Sequence, residues 1–190
     1  MKIKVWDYLE EYRLLKPQIL QVVNKVFSSG QLILGPNVKH FEKNFSKFIN
    51  VKYGIGVNSG TDAIQISLMA ANIKKDDEII TTSNTAVPTV SAIVSSGAKP
   101  VFVDIKQDDF LIDTKKIEEK ITKRTKAIIP INLYGQCADY DNILKIAKKY
   151  NLFVIEDAAQ AIASRNSYGY LGTQSDIGCF SLSVAKTIST

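Results

Sequence analysis

Two hydrophobic periodicities divide the chain. Residues 8–28 set Leu9, Tyr12, Leu15, Ile19, Val22 and Val23 among charged neighbours at helical spacing. Ser28-Ser29-Gly30 and then Gly35-Pro36 break that pattern. Phe41, Phe45 and Phe48 resume it as one face of an amphipathic helix. From about residue 52, short apolar runs alternate with longer mixed stretches. The runs predict strands at Tyr53–Val57, Glu78–Thr82, Pro100–Ile105, Ala127–Leu133, Phe153–Glu156 and Cys179–Ser183. The mixed stretches predict helices at Thr61–Ala71, Val87–Ser95, Thr114–Ile121 and Asp141–Tyr150. Strands with so little internal alternation are apolar on both faces. The expected fold is therefore α/β, a mainly parallel sheet with helices on both faces. The chain reads as an N-terminal helical segment over 1–50 followed by an α/β domain over 51–190.

Composition narrows the function classes. A length of 190 residues suits one well-buried domain, and 45% apolar with 23% charged residues is ordinary for a globular protein. The net charge of +5 comes from scattered lysines such as Lys115, Lys116, Lys120, Lys145, Lys148 and Lys149, which read as solvated helix faces. No basic run is interleaved with aromatics, so no nucleic-acid partner is expected. Cys137 and Cys179 have neither metal-ligand spacing nor a disulfide framework and read as packing residues. The single histidine, His40, excludes a multi-histidine metal site, and no metal is expected. Met1 to Asp7 lacks the apolar core of a signal peptide, and no segment approaches a membrane span. The expectation is a cytoplasmic protein without a membrane partner.

Ligands of parallel sheets sit beyond the carboxyl ends of the strands, and three polar places follow apolar runs there. Asn58-Ser59-Gly60-Thr61 opens a helix. Its amides and hydroxyls suit an anion, and the plain alternative is a helix cap. Gly54, Gly56 and Gly60 do not have the G-x-G-x-x-G spacing of a dinucleotide site. Glu156-Asp157 ends a strand, and a carboxylate there could hold a cationic ring nitrogen. Adjacent strand residues face opposite ways, so the two acids should not share one role. The alternative for Asp157 is again a helix cap. Lys186 follows Phe180-Ser181-Leu182-Ser183-Val184-Ala185 and precedes Thr187, Ser189 and Thr190. A partly desolvated lysine at that place would be a nucleophile. A surface lysine is the plain alternative.

In their order, these segments resemble the DegT/DnrJ/EryC1/StrS family of sugar aminotransferases, which use pyridoxal 5'-phosphate on a fold of the aspartate-aminotransferase type. The motifs run from Gly35-Pro36 and Ser59-Gly60-Thr61-Asp62-Ala63 through Asn84-Thr85-Ala86-Val87-Pro88-Thr89 and Gly97-Ala98-Lys99-Pro100-Val101-Phe102-Val103-Asp104. Leu133-Tyr134-Gly135-Gln136, Glu156-Asp157-Ala158-Ala159-Gln160-Ala161 and Phe180-Ser181 to Lys186 complete them. Each is weak alone, and the ordered set is specific. The resemblance implies that Lys186 carries the cofactor and moves the proton, and that Asp157 keeps the ring nitrogen protonated. It implies Gln160 near the phenolic oxygen, with Gly60, Thr61 and Ser181 around the phosphate and Ser59 among the cofactor-binding residues. Ala86 is a lining position where many relatives have a stacking aromatic.

The resemblance further implies transamination of a nucleotide-linked keto sugar, with glutamate as amino donor, for amino-sugar and surface-polysaccharide synthesis by a homodimer. It implies that this chain is the large domain truncated at its C-terminus, without the small C-terminal domain. One alternative is a non-catalytic remnant or one half of a split enzyme. Another is a sugar dehydratase of the same fold, a branch in which histidine replaces the lysine, so that Lys186 argues for transamination.

Overall fold

The structure, a computed structural model, describes residues 7–186. The reading of Met1 to Trp6 as lacking a leader, and Thr187, Ser189 and Thr190 after the lysine, lie outside the described residues. The chain divides into two compact units after Gly56, whereas the sequence pattern placed the division after residue 50.

The first unit holds helices α1 (Tyr8–Ser29) and α2 (Pro36–Phe48). Gly30 ends α1 in the left-handed region at φ 68°, returning its N–H to the Phe27 carbonyl. Pro36 starts α2, where a missing N–H costs nothing. The expected strand Tyr53–Val57 does not form. Its backbone runs along α2: the Gly56 N–H donates to Glu42 Oε1 at 2.8 Å, and a Cβ on Gly54 would lie 2.9 Å from the Glu42 carbonyl oxygen. A helix side chain, not a neighbouring strand, takes that hydrogen bond. The contact with α2 also explains why the division falls after Gly56.

The second unit is built on a five-stranded, wholly parallel sheet of order β2-β1-β3-β4-β7. Its strands are β1 (Glu78–Thr82), β2 (Lys99–Val103), β3 (Thr125–Ile128), β4 (Phe153–Asp157) and β7 (Ile177–Cys179). A small hairpin of β5 (Arg165–Asn166) and β6 (Gly169–Tyr170) lies between β4 and β7. Helices α3 (Gly60–Ala70), α4 (Val87–Ser95) and α5 (Tyr140–Tyr150) connect or precede the strands.

The alternation of strand side chains sorts them into two cores. Ile79, Ala127, Ile129 and Ile155 pack with Ile64 and Leu68 of α3 and Ala92 and Ile93 of α4. Ile80, Ile128 and Val154 pack on the other face with Ile143, Ile146 and Ala147 of α5. Both faces are covered, so the strands need apolar residues at consecutive positions, which is the pattern read from the sequence.

Three expected elements differ. The run Ala127–Leu133 stops being a strand at Ile128 because Pro130 has no N–H for the ladder. The chain continues through an isolated bridge at Ile131 and a 3-10 turn at Leu133–Gly135, with Tyr134 at φ 56°. The run Cys179–Ser183 is a strand only to Cys179. Its neighbour β4 ends at Asp157, and the Cys179 carbonyl accepts from the Ala158 N–H at 2.8 Å as the chains part. The expected helix Thr114–Ile121 is two short 3-10 turns, Thr114–Lys116 and Glu118–Lys120, anchored by the buried Ile117.

Candidate functional site

The carboxyl ends of the strands and the N-terminus of α3 enclose a cavity of about 240 Å³. The eight residues that the resemblance assigned to the cofactor line it: Ser59, Gly60, Thr61, Ala86, Asp157, Gln160, Ser181 and Lys186. Segments more than 100 residues apart in sequence, at 59–61 and 181–186, meet there because both lie at the same end of the sheet.

Strand parity decides what the two acids do. Asp157 shares the face of Ile155 and is buried against α4. The Thr89 hydroxyl donates to its Oδ2 at 2.6 Å and the Ala159 N–H to its Oδ1 at 3.1 Å. Burial pushes its pKa up, while these two bonds and the nearby charge of Lys186 pull it down. Glu156 points to the other face, fully buried. It accepts from Asn132 Nδ2, the Gly172 and Gln174 N–H groups and the Ser175 hydroxyl. Glu156 therefore ties the segment 172–175 to β4 and takes no part in the cavity, in keeping with two separate roles for the pair.

At the other end of the cavity, α3 presents its first turn. The amides of Gly60 and Thr61 are among those that no earlier helical carbonyl can reach, and they carry the positive end of the helix dipole. Gly60 also lets Ser181 come close, since a Cβ there would sit 3.0 Å from the Ser181 Cβ. Ser59 is the N-cap. Its hydroxyl accepts from the Asp62 N–H at 3.1 Å and donates to Asp62 Oδ2 at 3.0 Å. The cap reading thus holds for Ser59, whose hydroxyl must turn away from Asp62 to serve as a donor into the cavity.

Gln160 accepts the Tyr134 N–H on its Oε1 at 3.0 Å. That bond fixes the amide, so Nε2 is the group offered to the cavity. Ala86 is exposed at the N-cap of α4. No aromatic residue lines the cavity among the described residues. Its apolar walls are Ile64, Pro88, Ile131 and Leu133.

Thr85 and Thr89 escaped the sequence reading as site residues, as did Ile131, Leu133 and Ser183. Thr85 precedes the extended N-cap Ala86, outside α4, so helical spacing gave no signal for its approach to Thr89. Cys179, expected to be a packing residue, is buried against the Ser67 hydroxyl, and burial pushes its thiol up to about 12. His40 is exposed on α2. Among the described residues no group of three or more metal-ligating side chains forms, and no helix is long and apolar enough to cross a membrane.

The family model described as DegT/DnrJ/EryC1/StrS aminotransferase matches residues 14–190. A dTDP-3-amino-3,4,6-trideoxy-alpha-D-glucose transaminase of Micromonospora megalomicea subsp. nigra is 43% identical over 188 residues, covering 99% of this chain and 50% of that protein. The crystal structure of S. venezuelae DesV in complex with a ketimine intermediate superposes with a TM-score of 0.94 at 33% identity, covering 99% of this chain and 51% of that one. NtdA from Bacillus subtilis, solved with bound cofactor PMP, superposes with a TM-score of 0.89 at 37% identity, covering 100% and 43%. The chain spans about half the length of the relatives it matches.

Proposed function

The chain belongs to the DegT/DnrJ/EryC1/StrS aminotransferase family, and from that premise we propose that it holds pyridoxal 5'-phosphate for transamination of a nucleotide-linked keto sugar. The observation that carries the proposal is one cavity lined at once by an amine, a buried carboxylate and a helix N-terminus, from Lys186, Asp157 and α3. That donor set fits the group's aldehyde, ring nitrogen and phosphate.

When bound, the cofactor supplies a conjugated, protonated ring that accepts the electron pair of a bond broken beside the amino nitrogen. Lys186 is the amine that attaches it and then takes and returns the proton at the reacting carbon. Asp157 holds the proton on the ring nitrogen, a task that needs an ionised carboxylate in a place that excludes water. Gln160 Nε2 donates to the phenolic oxygen. The Gly60 and Thr61 amides, with the hydroxyls of Ser59, Thr61 and Ser181, bind the phosphate. Pro88, Ile131 and Leu133 keep the ring face dry.

The substrate class is supported by the dTDP-sugar transaminase among the relatives. Glutamate as amino donor, a part in amino-sugar and surface-polysaccharide synthesis, a homodimer and a cytoplasmic location complete the proposal. A cavity lysine supports transamination over the dehydratase branch.

The test is spectroscopic. The protein mixed with pyridoxal 5'-phosphate should gain the visible absorbance of lysine-bound cofactor, and Lys186→Ala should lose it. No spectral change in a sample shown to be folded by circular dichroism would refute the assignment.

A further inference from the structure

Asp157 is a buried carboxylate whose local support comes from α4. Thr89 is completely buried in α4, and its hydroxyl donates to Asp157 Oδ2 at 2.6 Å. Thr85 Oγ1 lies 2.8 Å from Thr89 Oγ1. A threonine hydroxyl has a single hydrogen. Because the Thr89 hydrogen goes to the carboxylate, Thr85 must be the donor in the second bond. The chain of hydroxyls therefore has one direction, from Thr85 at the cavity wall through Thr89 to Asp157. Hydrogen bonds in such a row polarise one another, and those ending on a carboxylate are the strong kind.

We infer that Thr89 is a positioning residue for Asp157, with Thr85 acting through it, and that the two hydroxyls fix the carboxylate's orientation and hold it as an acceptor. The inference rests on the proposal that Asp157 faces the ring nitrogen. The geometry leaves Asp157 equipped for that partner. Oδ1 carries one bond, from the Ala159 N–H, and Oδ2 carries one, from Thr89. Each oxygen keeps acceptor capacity for a cationic N–H.

The row also answers a difficulty of the site. Burial opposes the charge that the chemistry needs, and a hydroxyl donor offsets that cost without adding a competing cation. The other titratable groups facing Asp157 are few. Lys186 lies across the cavity. The Cys179 thiol on β7 stays neutral. Glu156, next in the strand, is turned to the opposite face.

The experiment follows the Asp157 carboxyl carbon by NMR during pH titration of the cofactor-free protein, assigned with Asp157→Asn. Thr89→Val keeps the shape and removes the hydroxyl, and its titration midpoint should move upward. Thr85→Val should move it upward by less, and Thr89→Ser should restore the parent value. A folded Thr89→Val protein with an unmoved midpoint overturns the inference. If Thr89→Val does not fold, Thr85→Val at its half-buried position decides in the same way. Adding pyridoxal 5'-phosphate separates the two claims. A midpoint that responds in a protein that never binds the cofactor sinks the functional proposal alone. Binding with an unresponsive midpoint sinks this inference alone.

Discussion

Replacing Glu156 by glutamine changes one atom and should cost far more than its size implies. The Glu156 side chain is fully buried and accepts four hydrogen bonds. Oε2 receives Asn132 Nδ2 at 3.2 Å and the Gly172 N–H at 2.7 Å. Oε1 receives the Gln174 N–H at 2.6 Å and the Ser175 hydroxyl at 3.1 Å. An amide nitrogen cannot accept, so Glu156→Gln must abandon one of these pairs. Putting the nitrogen at the Oε2 position would orphan Asn132 Nδ2 and Gly172. Asn132 cannot flip to help, since its Oδ1 already accepts from Ala138 and Tyr140. Putting it at the Oε1 position is cheaper, because the Ser175 hydroxyl can turn to accept and only the Gln174 N–H is stranded. The loss is then one hydrogen bond to a charged acceptor, about 1.5–3 kcal/mol net, with the two bonds at Oε2 weakened to neutral strength at about 1 kcal/mol each. The expected destabilisation is about 3–5 kcal/mol, a large share of a typical domain's total. Urea denaturation at pH 7, followed by circular dichroism and extrapolated to water, measures it. A difference below about 1 kcal/mol would refute the reasoning. The segment 172–175 leads directly into β7 and from there to Lys186, so the anchor is remote from the chemistry yet sets where the amine-bearing segment begins.

Gly178→Ala should lower the melting temperature by roughly 6–12 °C, corresponding to about 3 kcal/mol or more. Its new Cβ would collide with the Gly172 carbonyl oxygen, a backbone atom that no rotamer change can move, and an unaltered melt would contradict this packing. The stability of cofactor-free Asp157→Asn relative to its parent should rise as pH rises from about 4 to 7. Burial raises the folded-state pKa of Asp157 above its unfolded value, so its contribution is fully favourable below the unfolded pKa and is lost as pH rises through the folded one. Asparagine escapes that penalty, which fades as pH falls toward about 4. Urea denaturation at several pH values checks this, and a stability difference that does not change with pH would contradict it.

Local pattern alone settled much of this protein. The consecutive apolar positions of Glu78–Thr82 and Phe153–Glu156 announced strands buried on both faces, the second one residue short of its observed end at Asp157, and the helix Val87–Ser95 was legible to the residue. The strand expected over Ala127–Leu133 overlooked Pro130, and the observed strand stops at Ile128. Position beyond an apolar run pointed to the segments at Ser59–Thr61, Asp157 and Lys186, and the family resemblance of the ordered motifs added Gln160 and the roles. Contacts across the chain decided the rest. Tyr53–Val57 has strand composition, but a strand exists only where another backbone meets it, and here α2 takes its hydrogen bond through Glu42. Two adjacent acids look equivalent in sequence. Their burial against α4 on one face and against the loop 172–175 on the other made one a cavity carboxylate and the other an internal anchor. Thr89 reaches Asp157 across 68 positions of chain. No periodicity encodes that meeting, because side-chain spacing fixes which face a residue occupies, while only packing of the elements fixes what it faces.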